Sequence, residues 1–327
     1  MLRLRPTALT LLGVTLAAAV LGAPARAADI DKYLPDRTLL VVSLNVKQLL
    51  NAPLLKSDEK AYKQGLAEAT KALEGFGVDP AKDVNRVVFA AGEEMKAKGF
   101  LVLVVGHFDP AKLQAKLDEL AKDPKNNLKA IEVDGAKVYQ GKVPQQNVPA
   151  PGARLPERVY FTVLDEGHMG VALDEGALKD ALAKKSGARK ADVKKQVLDL
   201  IGQMSPQQTV ALVVVPPPEA LAGSPVAGLT DVTGGVTVSD GVKTELKFAT
   251  KDANAAKTLA QLIEDGLNQA KQFIPAIAGS QPGFGPKEQA IVKELMDSIK
   301  TTAKQDAVIV QSTISKEFIE KNSKKDQ

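Results

Sequence analysis

Two histidines, His107 and His168, are the first place to look for metal or general-base chemistry. They stand roughly sixty residues apart without a His-x-x-x-His spacing, so a shared metal would need the fold to join them. His107 follows Gly106 at the end of an apolar run, and His168 follows Asp165 and Glu166 in a turn. Both positions suit a structural or surface imidazole. Ser57 and Lys60 have the Ser-x-x-Lys spacing that sets an amine one helical turn from a hydroxyl. The companion Ser-Asp-Asn and Lys-Thr-Gly motifs are missing, and Ser57 reads as a helix N-cap ahead of Asp58 and Glu59. There is no Gly-x-Ser-x-Gly elbow. Gly235 to Thr244 contains glycines, a lysine and a threonine, but Val242 separates Gly241 from Lys243, and a hairpin does not cradle phosphate as a strand-to-helix loop does. The paired carboxylates Glu93-Glu94, Asp165-Glu166 and Asp174-Glu175 fall at turns and caps, where acids are expected structurally. The residues therefore nominate no catalytic, cofactor-binding or metal set.

The elements that would position any site belong to an exported chain. Arg3 and Arg5 precede an apolar run from Ala8 to Val20, and Ala25-Arg26-Ala27 gives the small-x-small pattern of a signal-peptidase site. The cut is expected between Ala27 and Ala28, leaving a soluble extracytoplasmic protein, periplasmic or secreted, with no transmembrane segment. The chain has no cysteine, which excludes disulfides, thiolate metal sites and a lipid-acceptor cysteine. Its 43 Lys and Arg lose Arg3, Arg5 and Arg26 with the leader, leaving 40 against 39 acids. A near-neutral surface argues against nucleic acid as a partner. Aromatics are 4% with no Trp, so stacking sites for sugars or single strands are not expected. One basic cluster, Lys184, Lys185, Arg189, Lys190, Lys194 and Lys195, reads as a solvated face between two modules.

Along the chain, Leu39 to Val46 is a buried-strand run. Val84 to Ala91 and Phe100 to Phe108 are two more, and Asp109-Pro110 is a cap followed by a first-turn proline. Asp134-Gly135 between short apolar runs predicts a two-residue hairpin. Val143 to Pro156, with four prolines, reads as a surface loop. Asp174 and Asp252 cap further helices, and Ala307 to Ile314 is a last strand before a lysine-rich tail. Gly283-Phe284-Gly285 reads as a break between two helices.

A plan repeats. A hairpin runs into an Asp-capped helix at Gly99 to Leu120, Gly167 to Leu182 and Gly241 to Leu262, and Arg37 to Val42 matches Gln208 to Val213 as a strand opening. The expected fold class is α+β, as two tandem, duplicated modules of antiparallel sheet covered by helices, over 28–187 and 188–327 after a 1–27 leader. Tyr33-Leu34-Pro35-Asp36-Arg37-Thr38, followed by the strand Leu39 to Val46 and a short helix ending at Ala52-Pro53, resembles the opening of a family of uncharacterised exported bacterial proteins. The resemblance implies fold and location and brings no activity with it. The functional expectation is a non-enzymatic binding or scaffold protein of the cell envelope, its partner an unknown envelope protein or small ligand. The alternatives are an extracytoplasmic hydrolase and a carrier of an apolar ligand.

Overall fold

The computed structural model describes residues 32–93, 99–142, 157–280 and 286–323. The expected cleavage residues Ala25, Ala27 and Ala28, the proline-rich loop 143–156 and the glycines at 283 and 285 lie outside the described residues. One antiparallel sheet of twelve strands organises the rest. Its first half holds β1 (Thr38–Asn45), β2 (Val84–Gly92), β3 (Phe100–Gly106), β4 (Leu128–Val133), β5 (Ala136–Lys142), β6 (Arg158–Asp165) and β7 (His168–Ala172). Its second half holds β8 (Val210–Val214), β9 (Leu229–Val238), β10 (Val242–Thr250), β11 (Lys300–Lys304) and β12 (Ala307–Ile314). The fold is α+β, as expected, but the two halves share a single sheet. β1 pairs with β8 through Val41↔Val213 and Val42↔Leu212. Outward from that seam the order is β1-β2-β3-β7-β6 on one side and β8-β9-β10-β12-β11 on the other, with β5 and β4 added beyond β6.

The described helices are α1 (Val46–Asn51), α2 (Pro53–Lys56), α3 (Glu59–Glu74), α4 (Pro110–Lys122), α5 (Glu175–Lys185), α6 (Lys195–Gly202), α7 (Pro218–Leu221), α8 (Ala253–Ser280), α9 (Pro286–Ser298) and α10 (Lys316–Ser323). Each hairpin-to-helix unit expected from the sequence is present: β2-β3-α4, β6-β7-α5 and β9-β10-α8. A fourth, β11-β12-α10, adds the unexpected edge strand β11 to the expected last strand and places a helix in the supposed tail. The caps behave as their chemistry requires. Asp109 accepts from the Lys112 amide at 3.1 Å, Asp174 from Gly176 at 2.6 Å and Asp252 from Ala255 at 2.8 Å. Asp134 and Gly135 take φ of 50° and 78°, the left-handed pair that matches the twist of a two-residue hairpin. Ser57 is not the N-cap predicted for α3. It closes α2, its hydroxyl donating to the Leu54 carbonyl at 2.7 Å, and the Tyr62 amide in the first turn of α3 donates to the Asp58 carbonyl at 2.9 Å.

Register sorts the side chains onto two faces. On one, α5 and α6 press Leu178, Leu182, Val197 and Ile201 onto Val41, Val88, Leu103 and Val213. We call it the α5 face. On the other, the α4 face, Leu113 and Leu117 of α4 meet Tyr139, Phe161 and Val163, while Ala256, Leu259 and Ile263 of α8 meet Phe248, Val308 and Val310. Packing of this kind removes about 25 cal/mol of transfer free energy per Å² of apolar surface, which makes these two layers the core.

Candidate functional site

Three polar groupings stand out from this framework. The first forms around His168, at the start of β7. Its Nδ1 lies 2.7 Å from Asp165 Oδ1, and the Tyr33 hydroxyl donates to Asp165 Oδ2 at 2.7 Å. The Gly167 amide donates to the same carboxylate at 2.9 Å, and the Tyr33 and His168 rings meet edge-on at 5.4 Å. Burial pushes the Tyr33 hydroxyl far above its usual range, and the Asp165 carboxylate that accepts its proton adds to the shift. Burial alone would raise Asp165, but the bonds from Tyr33, His168 and Gly167 favour the anion and hold it below the usual carboxylate range. An aspartate orienting an imidazole is half of a catalytic triad. Here the other ring nitrogen, Nε2, is buried and meets no hydroxyl among the described residues, so none of these supplies a nucleophile to the pair. His107 is exposed and separate, its amide donating to the Asp83 carbonyl at 2.9 Å. Among the described residues no group of His and carboxylates could hold a metal ion.

The second grouping explains the Leu-Pro-Asp opening. Leu34 is fully buried, and its carbonyl accepts from Lys184 Nζ at 2.5 Å. Lys184, 1% exposed, also meets Asp36 at 2.9 Å and Asp180 at 2.5 Å. Arg189 bridges the same two carboxylates, and the Asp192 amide donates to Asp36 at 3.1 Å. Burial lowers the Lys184 ammonium while the Asp180 carboxylate opposes the shift. Of the basic cluster only Lys184 departs from the solvated face expected: Lys185, Arg189, Lys190, Lys194 and Lys195 are exposed. Besides Lys184 and Arg189, Lys185 donates to the Val163 carbonyl, Lys194 pairs with Glu93 at 2.8 Å and Lys195 pairs with Asp199 at 2.6 Å. These bonds tie the start of β1 to α5 and to the segment leading into the second half.

The third is an open surface. Over β10, β12 and β11 no described helix covers the α5 face, where most side chains are exposed; α8 packs on the other side, and α6 reaches β9 through Gln196, which donates to Asp231 at 3.4 Å. One rung runs Gly235, Glu245, Gln311 and Lys300, and its neighbour runs Thr237, Lys243 and Thr313. Lys243, Glu245, Gln311, Thr313 and Lys300 are all exposed, whereas Val88 and Leu103, on the first-half rung continuous with Glu245, are fully buried. Gly235 leaves the floor low and must do so, since a Cβ there would stand 1.6 Å from the Val210 carbonyl oxygen. The loop before β8, with Ser205, Gln207 and Gln208, walls one end and completes a trough of about 620 Å³. Gln311 donates to Glu245 at 2.6 Å across its middle. Hydroxyls, amides, lysines and one carboxylate suit polar binding; no base is poised against a nucleophile here.

Comparison with known proteins adds a structural likeness. No family model matches the chain, and no curated protein does. It is similar to three solved structures of TP0453. Crystal form III gives a TM-score of 0.46 at 9% identity, covering 90% of this chain and 96% of that one. Crystal form I gives 0.45 at 11%, covering 90% and 95%, and crystal form IV gives 0.46 at 11%, covering 88% and 94%.

None of the open-face residues is a candidate on sequence grounds, because lysine, threonine and glutamine carry no spacing signature. The usable signal was alternation. Lys243-x-Glu245-x-Lys247 puts every second residue of β10 in water, while Leu101 to Val105 of β3 is apolar throughout and demands cover on both faces.

Proposed function

We propose that this is an exported, non-enzymatic binding protein of the cell envelope that docks its partner on the open α5 face of its second half. The observation that carries the reading is the contrast along one sheet face, roofed by α5 and α6 in the first half and bare, polar and concave in the second. A surface held on rigid strands is suited to recognition. The Asp165–His168 pair gives the hydrolase alternative no support, since its Nε2 is buried and meets no nucleophile among the described residues. The test is to replace Gln311 and Thr313 with Arg and isolate the mature protein from its extracytoplasmic fraction. Loss of a co-purifying component with unchanged thermal melting is expected; its full retention would contradict the reading.

A second reading has its own observation. On the α4 face, Leu40, Val42, Phe89, Phe100, Val102 and Leu212 of the central strands are only half-buried, and no described helix lies across them between α4 and α8. An apolar strip between two helices suits the carrier alternative. Native mass spectrometry decides it: a bound small amphiphile supports a carrier, and a ligand-free mass counts against one.

A further inference from the structure

We infer that the open face takes an extended, acidic polypeptide segment, added as a strand beside β11; this rests on the reading of that face as the docking surface. Four lysines point to the open side, Lys243 and Lys247 from β10 and Lys300 and Lys304 from β11, and all four are exposed. They share the face with two carboxylates, Glu245, already engaged by Gln311, and the buried Asp231 of β9, engaged by Gln196 and Thr230. Asp240 in the β9–β10 turn lies near Lys243, while Lys247, Lys300 and Lys304 make no ion pair among the described residues. Some lysines elsewhere are paired, as Lys184, Lys194, Lys195, Lys137 and Lys293 are, and others, such as Lys47, Lys60 and Lys129, make no ion pair among the described residues. What marks this face is four exposed lysines on two strands, two of them, Lys243 and Lys300, lining the trough, and that local excess of positive charge favours an anionic partner.

The backbone narrows the class. Among the described residues β11 is the last strand of the sheet and pairs only with β12, so its outer edge offers amide and carbonyl groups to an extended chain. A strand laid there would place alternate residues against Lys300, Thr302 and Lys304, and acids four positions apart, about 13 Å, would meet both lysines. A second copy of this chain fits badly. Antiparallel self-pairing centred on Thr302 keeps the two open faces on one side and sets each Lys300 opposite the other copy's Lys304, a like-charge contact made twice. A bilayer also fits badly, because the face is a trough and none of its named residues is an apolar or aromatic anchor.

The probe is a labelled peptide, Ser-Glu-Val-Thr-Val-Glu-Ser, with a control carrying Lys in place of both Glu. Fluorescence anisotropy and amide exchange on the mature protein should show the acidic peptide binding, the control not binding, and slowed exchange in Lys300–Lys304. The double variant Lys300→Glu, Lys304→Glu should weaken binding by about tenfold or more, and Lys300→Gln, Lys304→Gln, a milder change to the fold, should weaken it less. Equal binding of both peptides, or acidic binding without slowed exchange in β11, overturns the inference. So does lysine-dependent binding of phosphatidylserine vesicles with no binding of the peptide. If the peptide fails while partner retention still depends on Gln311 and Thr313, this inference falls alone; if retention is independent of them, the docking reading falls too.

Discussion

The α5 face is sealed over β1, β2, β3 and β7 and open over β10, β12 and β11, although both halves lay out their strands in one order. In each half a helix follows the hairpin that completes the plan, α5 after β7 and α10 after β12. Helix α5 buries Ala177, Leu178, Ala181 and Leu182, a stripe at helical spacing, and the strands beneath it answer with Val88, Leu101 and Leu103. Helix α10 has Phe318 and Ile319 as its large apolar residues and packs against α9, and the corresponding strands carry Lys243, Glu245, Lys247 and Gln311. A repeated backbone plan thus frees a sheet face when the helix and the strands beneath it give up their apolar residues together.

The comparison breaks most sharply at Lys184. Lys184→Ala leaves Asp36 and Asp180 short of a buried countercharge and should cost about 3–5 kcal/mol, read by urea denaturation. A loss under about 1 kcal/mol would mean that α5 is not locked to the start of β1 as described. Next comes a pair of substitutions on continuous rungs. Leu103→Ala, under α5, should cost about 3 kcal/mol, whereas Glu245→Ala, on the open face, should stay within about 0.5 kcal/mol. Similar losses at the two sites would mean that the second-half face is covered after all.

Ser43→Ala probes the seam itself. The Ser43 hydroxyl is buried on β1 without a partner among the described residues, so removing it should stabilise the fold by about 1 kcal/mol. The smallest effect concerns pH. Asp165 has its folded pKa depressed, so its contribution is present above the unfolded value of about 4 and is lost as pH falls through the lower folded value. Asp165→Asn should flatten that acid limb while leaving the acid sensitivity of the second half unchanged, as followed by melting temperature against pH.

Much of the fold was legible because its signals are local. The Asp134-Gly135 turn, the aspartate caps and the apolar strand runs need only neighbouring residues to act. The β1–β8 seam was not legible, since pairing between strands about 170 residues apart is decided by burial and register rather than by any local motif. β11, Lys-Thr-Thr-Ala-Lys, escaped because an edge strand carrying lysines has almost no apolar signature. α10 hid in a lysine-rich stretch for the same reason. Ser57 went to the wrong helix because the two-turn run α1–α2, capped by Asn45, intervenes ahead of α3. The open face, finally, is defined by what does not cover it, and a sequence does not print that.

Lysine reactivity reads the central contrast most directly. Brief acetylation of the folded protein, followed by peptide mass spectrometry, compares Lys184 with Lys243, Lys247, Lys300 and Lys304 in one experiment. The account predicts that those four react like free lysine while Lys184 is strongly protected. Protection of the four in the unbound protein would show that face covered and would contradict the account.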